Sequence, residues 1–168
     1  MHTIEKVSLE SIPLIQKLSG EIWRKVYQKL ISMEQIYFMQ NLMYSTESIK
    51  NQIINLNHTF IILSSESIPV GFASYSVKST EEPSTFRLNK LYLQPELHGK
   101  GLGKAMIQYI IDEITPLGAA YLELNVYKKN PTIEFYKKYG FIITAETVID
   151  IGNGYVMDDY IMTLDLNQ

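Results

Sequence analysis

From Lys90 to Lys104 the chain reads Lys-Leu-Tyr-Leu-Gln-Pro-Glu-Leu-His-Gly-Lys-Gly-Leu-Gly-Lys. An apolar run rich in strand formers meets three glycines spaced two apart, and a helical pattern follows. Leu102, Met106, Ile110 and Ile114 recur every four residues, with Ile107 and Ile111 beside them, so one helix face is apolar. The spacing predicts a strand that feeds a glycine-rich loop opening a helix. Such a loop leaves several backbone N–H groups unpaired at the positive end of the helix dipole. That arrangement binds phosphate-like anions. Glycines suit it because side chains would block close approach and because the turn can demand positive φ.

The other bounds are broad. A chain of 168 residues suits one domain, here taken as 1–168. At that size folding hides roughly 70% of the surface the unfolded chain exposes, enough for a core without staples. There is no cysteine, which excludes disulfides, thiolate metal sites and a cysteine nucleophile. His2 and His58 have no partners at ligand spacing and read as surface or loop residues, so no metal is expected. The N-terminus carries no basic stretch followed by an apolar one, and no apolar run reaches membrane length. The formal charge is −3 with scattered basic residues, which argues against a general nucleic-acid binder. A cytoplasmic protein acting on small or cationic partners, without membrane or nucleic acid, is the expectation; a homodimer is left open.

Helical spacing runs first from Ile12 to Leu30, then over about Met33 to Met43, then onward from Ser45. From Thr59 the pattern turns to strands. Phe60–Leu63 and Val70–Val77 form a hairpin about a turn region at Ser64–Pro69. In the next strand Phe86 and Leu88 are even-numbered while Leu91 and Leu93 are odd, so the apolar phase slips once near Asn89-Lys90. A β-bulge there accounts for the slip and would free backbone N–H groups just before the loop. Tyr121–Tyr127 places Leu122, Leu124 and Val126 on one face and Glu123 and Asn125 on the other. Asn130-Pro131 starts a short helix that stops at Gly140. Phe141–Ile151 and Tyr155–Leu166 pair about an Asn153-Gly154 turn.

Three phosphate-binding patterns compete at the loop, beside a bare structural turn. A P-loop needs four residues between its first glycine and a Gly-Lys pair followed by serine or threonine, and here Ala105 follows Lys104. A dinucleotide fold needs Gly-x-Gly-x-x-Gly within parallel βαβ units, and the hairpins speak against it. The third pattern joins the loop to what lies downstream. His98-Gly99-Lys100-Gly101-Leu102-Gly103, with the strand Leu122–Val126, Asn130 and the run Phe135-Tyr136-Lys137-Lys138-Tyr139-Gly140-Phe141, resembles the GNAT N-acetyltransferase superfamily. His98 stands where that family usually has glutamine or arginine. The interval from Asn130 to Tyr136 is one residue shorter than usual. The leader, with Ser45–Ile53 after Tyr37–Tyr44, looks like the subgroup that includes bacterial polyamine acetyltransferases.

The resemblance implies an α+β fold: a twisted, mostly antiparallel sheet of about 6–7 strands with a β-bulge and splayed central strands, flanked by about four helices. It implies acetyl transfer from acetyl-CoA, as cosubstrate, to a primary amine by direct attack in a ternary complex. A small amine such as a polyamine is the first expectation. A protein N-terminus or lysine is the alternative acceptor, and a non-catalytic acyl-CoA sensor is the alternative class. The diphosphate would lie on amides of His98, Gly99, Lys100, Gly101, Leu102, Gly103 and Lys104. The pantetheine would pair with Leu91, Tyr92 and Leu93 like an added strand, with Asn130 as a further cofactor contact. Tyr136 would protonate the departing thiolate, as the matching family tyrosine does. The amine must shed a proton, since ordinary alkylammonium groups have a pKa near 10.4, so a base or water chain is required. Glu123, turned from the apolar face, is the first candidate; a solvated strand glutamate is the other reading. The family often has a glutamate on the strand before the loop, where this chain offers Arg87, Asn89 and Lys90. Trp23 and Tyr27 fall in the leader that covers the acceptor in the resemblance. Their rings could hold a cation or simply pack the core.

Overall fold

The computed structural model describes all residues, 1–168. Seven strands follow the order β1-β2-β3-β4-β5-β7-β6 in one sheet. They are β1 (His2–Val7), β2 (Thr59–Ser65), β3 (Ile68–Val77), β4 (Thr85–Leu93), β5 (Tyr121–Tyr127), β6 (Ile142–Gly152) and β7 (Tyr155–Asp165). Five helices accompany them: α1 (Ile12–Tyr27), α2 (Met33–Tyr44), α3 (Thr46–Ile54), α4 (Leu102–Ile114) and α5 (Ile133–Tyr139). The ladders β1–β2, β2–β3, β5–β7 and β6–β7 are antiparallel, and β4–β5 is parallel. The class is the mixed α/β one expected. There are five helices where the resemblance implied about four, and Ser45, in extended backbone, ends α2 and caps α3 at the break the helical spacing marked. Its side chain accepts a hydrogen bond from Ser48 N–H at 3.1 Å, and Ser32 does the same for Gln35 N–H at the start of α2.

The chain forms two compact units, Met1–Ser76 with Lys90–Ile110, and Val77–Asn89 with Ile111–Gln168. In the first, β2 is an unbroken apolar run and Phe60, Ile61 and Leu63 are fully buried, as for a strand covered on both faces. Ile15 and Ile22 of α1, Ile49 of α3, Phe72 of β3, and Met106, Ile107 and Ile110 of α4 are likewise fully buried. The β2–β3 turn is tighter than the expected Ser64–Pro69 region. The strands run to Ser65 and from Ile68, and Glu66 and Ser67 both take positive φ. Pro69 sits inside β3, opposite Ser64, where the register shifts beyond Leu63 and relieves the missing N–H.

In the second unit Ile114, Leu122, Leu124, Phe141 and Met162 are buried. Asn153 (φ 55°) and Gly154 (φ 80°) make the expected hairpin turn between β6 and β7. The helix expected from Asn130-Pro131 starts two to three residues later, at Ile133. Asn130 instead builds the turn ahead of it, its Oδ1 accepting from Thr132 N–H at 2.9 Å. No helix is long and apolar enough to cross a membrane.

Candidate active site

The glycine loop belongs to the first unit. β4 ends at Leu93, a short 3-10 turn covers Pro95–Leu97, and α4 starts at Leu102. Gly99 and Gly101 both have φ +81°, a backbone state that favours glycine over residues carrying a Cβ. A Cβ at either would meet no atom within 4 Å, so the backbone angle, rather than crowding, calls for glycine there. The first turn of α4 is formed, with Ala105 N–H donating to Gly101 C=O at 3.1 Å. Ahead of the helix stand the amides of a loop bent by two left-handed residues, the geometry of an anion-binding nest. His98 turns back, its Nε2 lying 3.0 Å from Leu93 C=O.

The exit of β4 is braced by residues the sequence did not single out. Lys25 at the end of α1 donates to Gln94 Oε1 (2.9 Å) and Glu96 Oε1 (2.6 Å), and Gln94 Nε2 donates to Glu21 (3.1 Å). The hydrogen bond from Lys25 holds the Glu96 carboxyl below its usual range. Gly71 of β3 lies so near that a Cβ on it would come within 2.8 Å of Tyr92 C=O. No local pattern marks these residues, because they are far apart in the chain.

Tyr92 projects into a group of rings with Trp23, Tyr27 and Phe72, at centroid distances of 5.6, 6.4 and 5.5 Å. Its hydroxyl is 3.2 Å from that of Tyr27. Trp23 and Tyr27 are 3% and 9% exposed, with ring centroids 4.6 Å apart. Lys90, two residues earlier on β4, donates to Gln52 Oε1 at 2.8 Å and lies over the rings of Tyr44 (5.5 Å) and Phe60 (5.7 Å). Burial pushes its amine down to about 8. His58, expected at the surface or in a loop, is in a loop but half-buried. Burial, then repulsion from Lys90, lowers its imidazole to about 4.

The second unit holds Glu123, Asn130 and Tyr136. Thr85, Phe86 and Arg87 of β4 lie opposite Tyr121, Leu122 and Glu123 of β5 in the parallel ladder. Arg87 reaches Glu123 with one guanidinium nitrogen and Asn125 Oδ1 with the other. Lys78 donates to the second oxygen of Glu123 at 3.2 Å. Glu123, 8% exposed, is therefore neither a solvated glutamate nor a free carboxylate: both oxygens are held by cations. Next along the face, Asn125 Nδ2 points to Asp159 Oδ2 at 3.5 Å. Tyr136 is 8% exposed, with its ring 5.3 Å from Phe135 and 5.5 Å from Phe141. Gly140 ends α5 as expected, with φ 125°, and Phe141 N–H returns to Tyr136 C=O at 3.0 Å.

A glycine loop of this geometry between a strand and a helix is an anion-binding device, and comparison with known proteins identifies the family. The model of the family described as Acetyltransferase (GNAT) domain matches residues 27–163. The chain belongs to this family of N-acetyltransferases. It is 26% identical over 152 residues to the uncharacterized N-acetyltransferase YuaI of Bacillus subtilis, covering 90% of this chain and 86% of that one. It is 27% identical over 143 residues to spermidine N(1)-acetyltransferase of Thermoplasma acidophilum, covering 82% and 86%. Among solved structures, the PaiA N-acetyltransferase of Thermoplasma acidophilum in complex with coenzyme A superposes with a TM-score of 0.81 at 24% identity, covering 98% and 99%. A GCN5-related N-acetyltransferase from Rhodopseudomonas palustris gives 0.81 at 19% identity, covering 98% and 95%. At such identities the structural likeness speaks for the fold.

Proposed function

We propose that this protein transfers an acetyl group from acetyl-CoA to the primary amine of a small molecule, a polyamine being the first class to try. The observation that carries the reading is the pair of left-handed glycines, Gly99 and Gly101, directly ahead of α4. Their amides, with those of Lys100 and Leu102–Lys104, can take a diphosphate without displacing a side chain. The polyamine choice draws support from the relative named spermidine N(1)-acetyltransferase. Leu91, Tyr92 and Leu93 offer backbone groups for the pantetheine arm, and the packed rings of Trp23, Tyr27 and Phe72 fix the side chain of Tyr92. Asn130, its Oδ1 accepting from Thr132 N–H at the entry to α5, is the further cofactor contact that the family likeness suggests.

The chemistry needs a nitrogen lone pair, a stabilised oxyanion and a protonated leaving thiol. The amine nitrogen bonds to the thioester carbon and the C–S bond breaks. Tyr136 gives its proton to the thiolate and is reprotonated by the proton that the new amide nitrogen sheds. A backbone N–H of β4 would meet the developing oxyanion.

The test is thiol release from acetyl-CoA across polyamines, amino acids and peptides. Release with polyamines supports the proposal. Release with peptides alone points to a protein acetyltransferase, and binding without release for every amine points to a sensor. Tyr136→Phe should lower kcat about 10²-fold with acetyl-CoA affinity unchanged by calorimetry; an unchanged kcat at every pH removes the acid role.

A further inference from the structure

Asp159 is a buried carboxylate with no cation bonded to it. It lies on β7 opposite Tyr127 of β5, in the ladder that sets Ile161 opposite Asn125 and Thr163 opposite Glu123. Side chains at opposed positions share a face. Asp159 therefore stands on the polar face of β5 with Glu123 and Asn125. It is 2% exposed. Its side-chain hydrogen bond is a long one, 3.5 Å from Asn125 Nδ2.

The nearby cations are committed elsewhere. Arg87 spends its guanidinium on Glu123 and Asn125. Lys128 pairs with Glu146 (2.9 Å) and Asp158 (3.0 Å). A buried carboxylate without a bonded cation is costly unless something supplies the charge. Burial is the largest influence on this group and raises its pKa. The Asn125 hydrogen bond opposes that rise, Asp158 adds to it, and Arg87 and Lys128 oppose it more weakly. The group is thus a better proton acceptor than an ordinary aspartate, as a base near neutral pH should be. Glu123, the carboxylate on the same face, already has both oxygens on cations.

We infer that Asp159 receives the ammonium group of the acceptor and takes its proton as the nitrogen attacks the acetyl carbon. The inference rests on the acetyltransferase reading and names the residue that selects a cation. One N–H bond of the ammonium passes its proton to Oδ of Asp159, and the freed lone pair forms the N–C bond. The C–S bond breaks as Tyr136 protonates the thiolate, and the second proton shed by the amide nitrogen restores Tyr136. Water then removes the proton from Asp159. The Lys78–Glu123–Arg87–Asn125 chain positions it: Arg87 orients the Asn125 amide, which holds Asp159 by its weak hydrogen bond.

The experiment compares wild type with Asp159→Asn, using acetyl-CoA and spermidine. The variant should bind acetyl-CoA as wild type does, lose about 10²-fold in kcat/KM for the amine, and lose the acidic limb of its pH profile. Wild-type kcat/KM and pH profile in Asp159→Asn would overturn the inference. If the variant fails to fold, the carboxyl 13C resonance of Asp159 in wild type decides. It should titrate above ordinary aspartates and shift when spermidine is added; a normal, unresponsive titration overturns the assignment. Absence of thiol release by wild type with every amine would defeat the acetyltransferase reading itself and this inference with it, whereas an active wild type matched by Asp159→Asn defeats this inference alone.

Discussion

The two units bury charge in opposite ways. In the first, Lys90 has no carboxylate bonded to it and is covered by two rings and the Gln52 amide. In the second, Glu123 is clasped by Arg87 and Lys78, and Asn125 links that group to Asp159. Arg87 and Lys90 sit three positions apart on one strand, β4, yet they meet different solutions. An ammonium on a flexible stem can give up its proton when buried, which is the direction Lys90 takes. A guanidinium cannot, so burial obliges it to find acceptors. A buried cation is thus tolerated either by being able to neutralise or by being fully bonded.

The sharpest way to break this contrast is Arg87→Met. It leaves Glu123 with Lys78 alone and frees Asn125, and should cost about 3 kcal/mol in urea unfolding. Adding Glu123→Gln should recover part of that loss, the signature of a coupled pair. An Arg87→Met protein as stable as wild type would show the pair to be idle. Lys90→Met should behave oppositely. Removing a buried cation outweighs the lost hydrogen bond to Gln52, so stability should rise by about 1 kcal/mol at neutral pH.

That gain should depend on pH. Below about 8 both the native and the unfolded Lys90 are protonated, and the cost of the buried charge is fully present. Between about 8 and 10.5 the unfolded chain binds the extra proton, so wild-type stability rises with pH and the advantage of Lys90→Met fades. A gap that stays constant through this window would refute the reading.

The smallest effect belongs to His58. Above 6.5 it is neutral in both states. As pH falls from 6.5 towards 4 the unfolded chain takes up a proton that the native one refuses, and stability is lost. For this partly exposed ring the loss should be roughly 1 kcal/mol by about pH 5. Thermal melts should show His58→Gln free of it, and none of it at neutral pH.

Much of the architecture was legible along the chain. The four-residue spacing of Leu102, Met106, Ile110 and Ile114 fixed α4, and the continuous apolar run Phe60–Leu63 fixed β2. Asn153-Gly154 fixed the last hairpin, and Ser45 marked the boundary between α2 and α3. The glycine loop could be read because its backbone need is written in residue type at fixed spacing. The β2–β3 turn was not, since Glu66 and Ser67 adopt positive φ without the usual glycine or asparagine. Glu123 was placed on the correct face by alternation, but its cations, Arg87 and Lys78, lie 36 and 45 residues away. The brace of Lys25 on Gln94 and Glu96 was hidden for the same reason.

Residue order alone determined the elements, their polar and apolar faces, and the anion-binding loop, because propensity, periodicity and backbone dihedral needs act over a few neighbours. Only the tertiary structure decided which charges are answered. It gave Glu123 two cations, gave Lys90 only rings and an amide, and set Asp159 on the Glu123 face. The register of β7 on β5 and the burial of each side chain are set by partners far away in the chain, and they govern the electrostatics of each group.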